Sequence, residues 1–240
     1  VAMVNAMVTV GMREVTAALL ARRGSKAAPS AEDLRAVLKR YIAETRVVRF
    51  EGNGYGQEWV EEAGRRGLLN IRSAPEAFAQ LQTEGNRRML VEAVGVVSDA
   101  ELGARYHVLC EKYAKDLLIE ARTLGQLVRQ SLIPAIFKYR RDLCAGVAAL
   151  TSVMGPAEPV PEKRSVSRLG AIAEALEGAV AELEAAVVAV DAVADAVPQA
   201  HAAVALAALV ATVRQHADAS EEVLADEYYP LPKYTEILFN

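Results

Sequence analysis

The 240-residue chain is poor in the residues on which most catalytic and cross-linked folds depend. It has two cysteines, Cys110 and Cys144, with no C-x-x-C spacing, which excludes a disulfide scaffold and a zinc ribbon. It has three histidines, and Ala104, Pro198 and Val213 stand three residues before them, so the Glu-x-x-His pairs of di-iron bundles are absent. Aromatic residues make up 5% against 52% hydrophobic, an Ala/Val/Leu excess that favours helices over a β-sandwich or barrel. The net charge of −4 lacks the basic surplus that non-specific nucleic-acid binding draws on. No membrane span is expected, because the longest tempting apolar stretch, Ala202 to Val213, is short of the roughly 20 residues a bilayer needs. VAMVNAMVTV at the start lacks a basic n-region and a cleavage site, so it reads as a helix from inside a longer polypeptide. These absences describe a soluble, cytoplasmic, mainly α chain.

What is present is helical periodicity. A first helix is expected from Ala2 to Arg22 with Gly24 as its C-cap, and Asn5 within it as a buried amide. Ser30 with Asp33 caps a second helix carrying Leu34, Val37, Leu38, Tyr41 and Ile42. RVVRF (Arg46 to Phe50) reads as a strand, paired either around Leu68 to Ile71 or outside the chain, so at most one short β-strand pair is expected. Short helices separated by Gly67, the turn at Ser73 to Pro75 and Gly95 should fill residues 57–97. Ser98 and Glu101 form a capping box that opens a long helix, with an apolar stripe through Leu102, Tyr106, Leu109, Tyr113, Leu117, Leu124, Val128 and Leu132. Pro134 should kink it, giving a connector or arm.

The division expected is a helical domain at 1–151, a Gly/Pro-bearing linker at 152–168, an acidic Ala-rich antiparallel αα-hairpin at 169–227, and a docking tail at 228–240. Heptad spacing runs through Leu169, Ile172, Leu176, Val180, Leu183, Val187, Val190, Ala194 and Val197 to a break at Pro198. Charge follows the division, with 22 Lys/Arg and 17 Asp/Glu in residues 1–150 against 5 and 14 in the remainder.

No catalytic or metal-binding set emerges from these residues. GNGYG (Gly52 to Gly56) is neither G-x-G-x-x-G in a βαβ unit nor a P-loop, and a tight turn is the simpler reading. His107 and Cys110 share a helix face but supply two ligands at most, and a partly buried His beside a core Cys is the plainer account. The Arg pairs at 22–23, 65–66, 87–88 and 140–141 alternate with acids as solvated faces do.

GNGYGQEWVEEAGRRGLLN (Gly52 to Asn70) resembles the segment that follows the catalytic domain of type III glutamine synthetases, the large bacterial form. The resemblance continues through Gly95 to Ile136 and resumes at YYPLPKYTEILF (Tyr228 to Phe239); VAMVNAMVTVGM is similar to the family's first helix after the barrel. It departs at Gly56, where the family has Ser. The resemblance implies a parent ATP-dependent glutamate–ammonia ligase using Mg2+ or Mn2+, whose metal glutamates and phosphate arginines sit upstream, with no cofactor on this fragment. It implies a C-terminal helical domain that is not catalytic alone, with its own catalytic domain as partner within a large double-ring homo-oligomer. Asn53 and Tyr55 are the candidate residues for reaching that domain. The alternative expectation is a free-standing helical interaction module without enzymatic activity.

Overall fold

The computed structural model describes residues 2–24, 28–155 and 159–239. They are mainly α-helical, and no strand occurs among them. Compactness divides the chain into two units, Val1–Leu109 and Cys110–Asn240, a boundary well before the expected one at 151/152. Lys and Arg number 15 in the first unit against 13 acids, and 12 against 18 in the second, so the charge contrast softens at this boundary.

In the first unit, α1 (Ala2–Arg23) ends at Gly24, whose φ of 57° is the left-handed conformation that glycine adopts without a Cβ penalty. Its apolar positions are only partly covered: Ala6 is buried, while Met3, Val4, Met7, Val8 and Met12 are exposed. Asn5 is exposed too, correcting the expectation of a buried amide; α1 does not present that face to protein here. In α2 (Ala31–Glu44), Ser30 Oγ accepts from the Asp33 N–H at 3.2 Å and Asp33 Oδ2 accepts from the Ser30 N–H at 2.9 Å, a reciprocal capping box.

The expected strand is absent. Thr45–Val48 continues α2 as a 3-10 turn, and the chain after it is extended but unpaired. Arg66 Nη1 donates to the carbonyls of Val47 at 3.2 Å and Arg49 at 2.7 Å, so one guanidinium satisfies groups a partner strand would have served. Leu68–Ile71, the supposed partner, is irregular.

Short helices follow: α3 (Gln57–Arg65), α4 (Ala74–Ala79) and α5 (Glu84–Arg87), the last running into a π segment at Arg88–Ala93. Gly67 and Gly95 take positive φ, 72° and 68°, where the sequence places its breaks. The small core of this unit is Ala6, Leu90 and Leu102, with Leu81, Met89 and Val94 around it. The second capping box forms at Ser98 and Glu101, opening α6 (Asp99–Leu127).

α6 runs on into the second unit, and helical backbone continues through a π segment, Val128–Leu132, into α7 (Ile133–Met154). The widened turn, in which the Ile133 N–H bonds to the Val128 carbonyl, lies just before Pro134. It carries the helix past the proline, relieving the clash between the proline ring and the carbonyl four residues earlier. Leu102, Val128 and Leu132 of the expected stripe are buried, but between them the seam runs one residue later: Cys110, Ala114, Leu118 and Ala121 are buried, while Leu109, Tyr113, Leu117 and Leu124 flank them half-exposed.

The linker is shorter than expected, because α7 extends to Met154 and α8 (Glu162–Asp191) already begins at Glu162. Glu162-Lys163-Arg164 are good helix formers placed just after Pro161, which supplies the helix start. α8 buries Leu169, Ala173, Leu176, Val180, Leu183, Val187 and Val190, an unbroken alternation of fours and threes. Ala173 replaces the expected Ile172 in that seam. The turn falls earlier than Pro198, at residues 192–195, and Asp195 caps α9 (Ala196–Glu221) by accepting from the Val197 N–H at 3.1 Å. Pro198 sits harmlessly in the first turn of α9, where N–H groups lack intrahelical partners anyway. Ala200, Ala203, Leu206, Val213 and Ala217 complete the hairpin seam. Arg129 clamps α8 through two 2.7 Å contacts to Glu184, and Arg122 reaches Asp191 at 2.7 Å.

By length and composition alone, α1 and α9 are each long and apolar enough to cross a membrane, a test that the core helices of soluble proteins also pass. α9 spends its apolar face on α8; α1 is covered only in part, by α2 and the π segment at Arg88–Ala93.

Candidate functional site

The sequence directs attention to Gly52–Gly56, and the fold shows how that turn is built. The Phe50 ring folds back onto Trp59 with centroids 4.7 Å apart. A Cβ at Gly52 would stand 2.7 Å from that ring, so the absence of a side chain there is what admits it. Asn53 Oδ1 accepts from the Tyr55 N–H at 3.0 Å, and its carbonyl accepts from the Gly56 N–H at 2.9 Å. Asn53 therefore closes an Asx turn and leads into α3, with Gly56 as its N-cap. Gly56 offers no side-chain cap, and a Cβ there would lie 3.3 Å from the Asn53 carbonyl. Tyr55, projected from the turn, is wholly exposed. The two candidates are thus adjacent but differently employed: Asn53 shapes the turn and Tyr55 presents a free ring.

The arginines beside the turn are an arrangement that sequence reasoning missed. Arg66 donates from Nε to Glu62 Oε1 at 2.5 Å, spans the carbonyls of the extended segment, and stacks over Trp59 at 5.6 Å. Arg65 reaches the other Glu62 oxygen at 2.7 Å, and Arg49 Nη2 donates to the Ile42 carbonyl. Glu62 is held below the usual carboxylate range, first by its hydrogen bond from Arg66, with the charge of Arg65 adding to it. Arg49 and Arg66, together with Arg46, line a cavity of about 500 Å³. With Arg49 and Arg66 engaged by carbonyls and Glu62, the cluster acts as a staple for the turn rather than as a phosphate cradle. The Arg65-Arg66 doublet was the available signal, but its partners lie up to 20 residues away.

No group of three or more His, Cys, Asp or Glu that could hold a metal occurs among the described residues. Cys110 is fully buried while His107 is exposed, so the pair does not converge.

The comparisons with known proteins agree with the resemblance. The family model described as the glutamine synthetase C-terminal domain matches residues 33–151, which include the turn and its arginine staple. A glutamine synthetase of Bacteroides fragilis (strain YCH46) is 29% identical over 208 residues, covering 85% of this chain and 28% of the relative. One from Butyrivibrio fibrisolvens is 26% identical over 223 residues, 87% of this chain and 30% of the relative. A type-3 glutamine synthetase of Dictyostelium discoideum is 30% identical over 203 residues, 82% of this chain and 27% of the relative. The chain spans less than a third of the length of these curated relatives.

Proposed function

Because this chain belongs to the glutamine synthetase C-terminal domain family, we propose that it is the helical support of an ATP-dependent glutamate–ammonia ligase, shaping and stabilising a catalytic domain carried elsewhere in the polypeptide. The observation that carries this reading is the apolar stripe of α1: Met7, Val8 and Met12 are 55–66% exposed, an uncovered patch of the kind that marks a contact surface. Three of the five methionines of the chain lie on that stripe, and their unbranched side chains adapt to an irregular facing surface.

On this reading ATP and Mg2+ or Mn2+ belong to the catalytic domain, the assembly is a large double-ring homo-oligomer, and the compartment is cytoplasmic. Asn53 and Tyr55 extend the same support, with the Asn53 turn holding Tyr55 out for contact with the catalytic domain. The test is to place Met7→Asp with Val8→Asp in the full-length enzyme and assay glutamine formation and thermal unfolding. Both should fall sharply, whereas Val188→Asp, equally exposed but in the hairpin, should change neither. Wild-type activity and stability in the α1 variant would overturn the reading.

A further inference from the structure

The second unit holds a groove that the ligase reading leaves unused. Leu124 and Leu127 of α6 and Val210 and Ala217 of α9 line an apolar gap there. The gap is about 490 Å³, within the ~300–1,000 Å³ range of small-molecule sites. Its cover is the C-terminal segment, which lays Leu231, Pro232 and Ile237 across the opening. That segment is fastened to α7 at its start and tied to itself further on. Tyr228 donates its hydroxyl to Asp142 at 2.9 Å and stacks on Tyr139 at 4.8 Å, and Lys233 pairs with Asp226.

The charges around this apolar interior are unbalanced. Glu120, Asp218 and Glu221 line it against the single cation Arg214. Arg214 lies 3.8 Å from Asp218, and Glu221 accepts a long 3.4 Å hydrogen bond from Tyr229, which leaves both glutamates uncompensated. Glu120 makes no ion pair among the described residues. An apolar interior with two carboxylates at its edge favours a ligand with a hydrophobic body and a cationic head, and disfavours an anion of the same shape.

We propose that this groove binds small amphipathic amines, with the body between α6 and α9 beneath the C-terminal segment and the ammonium between Glu120 and Glu221. Binding tightens the hold of the segment on the helices, since the ligand touches both.

The test uses the intact chain, with 4-phenylbutylamine as probe and 4-phenylbutanol and 4-phenylbutanoate as matched controls, read by methyl NMR at Leu124 and Ile237. The amine should shift both methyl groups saturably, at least tenfold more tightly than the alcohol, and the carboxylate should not bind. Glu120→Gln with Glu221→Gln should bring the amine down to the level of the alcohol. Ala217→Leu should abolish binding by filling the groove, and Ile237→Trp, at a 62% exposed position, does so from the cover without disturbing the helix seam. The proposal fails if the amine gives no saturable shift, if the carboxylate binds as well, or if both filling variants bind like the parent chain.

Discussion

The two units solve the same problem, covering helices rich in alanine, valine and leucine, to very different extents. Among the described residues, the first unit buries five apolar side chains and exposes fifteen large ones. The second buries twenty-two and exposes ten. The second is a seam-based bundle in which α8 buries a residue at every turn from Leu169 to Val190. The first is a set of short helices held by caps, glycine turns and the Arg66 staple, with α1 and α2 offering Met12, Leu34, Leu38 and Ile42 outward. One unit completes its own core; the other is built to be completed by something else.

The largest test of that contrast is to separate the units. A polypeptide of residues 99–240 should unfold in one cooperative transition, whereas residues 1–127 should bind ANS and lack a sharp transition. The reverse outcome, a cooperative first unit, would break the comparison. Next in size is a pair of leucine truncations in the intact chain. Leu183, fully buried in the hairpin, should cost about 2–5 kcal/mol as Leu183→Ala, read by denaturant unfolding. Leu38→Ala, 48% exposed on α2, should stay within about 0.5 kcal/mol. In the full-length enzyme the second figure should grow if the α2 face is covered there.

Legibility followed the same divide. Both capping boxes could be read because their members stand three residues apart, and the α8 seam because a heptad repeats its own evidence. The strand at Arg46 to Phe50 was misread because β-propensity reports fit to a sheet surface, and no sheet exists here to receive Val47 and Val48. The α6 stripe was right at Leu102, Val128 and Leu132 but read one residue early between them, because large apolar residues suggest a core, whereas Ala114 and Ala121 lie at the seam. At the candidate site, the turn could be read from its glycines. Arg66 and the groove beside Glu221 could not, since each joins segments far apart in sequence.

A smaller effect sharpens what holds the first unit. Trp59 is the chain's single tryptophan, so the emission comes from the ring that packs on Phe50 and lies under Arg66. Gly52→Ala would drive a Cβ into the Phe50 ring and should cost about 1–3 kcal/mol with a red shift of that emission. Gly54→Ala, which meets nothing within 4 Å, should leave the spectrum unchanged. Equal spectra for the two would mean that the turn is not packed as described.

The smallest effect lies in the second unit and concerns pH. Asp142 is held below the usual carboxylate range first by its hydrogen bond from Arg141 and next by that from Tyr228. A carboxylate depressed in the folded state adds stability that is complete above its unfolded pKa and is lost as pH falls through the lower folded value. Glu184, held down by Arg129, contributes in the same direction, so the second unit should weaken progressively on the acid side of the ordinary carboxylate range. Tyr228→Phe keeps the ring against Tyr139 and removes only the hydroxyl. The Asp142 carboxyl, followed by 13C NMR, should then titrate at higher pH than in the parent chain, while Glu184 should not move. A matched shift of both would mean that Tyr228 acts on the bundle as a whole, whereas no shift at Asp142 would mean that the C-terminal segment is not fastened there in solution.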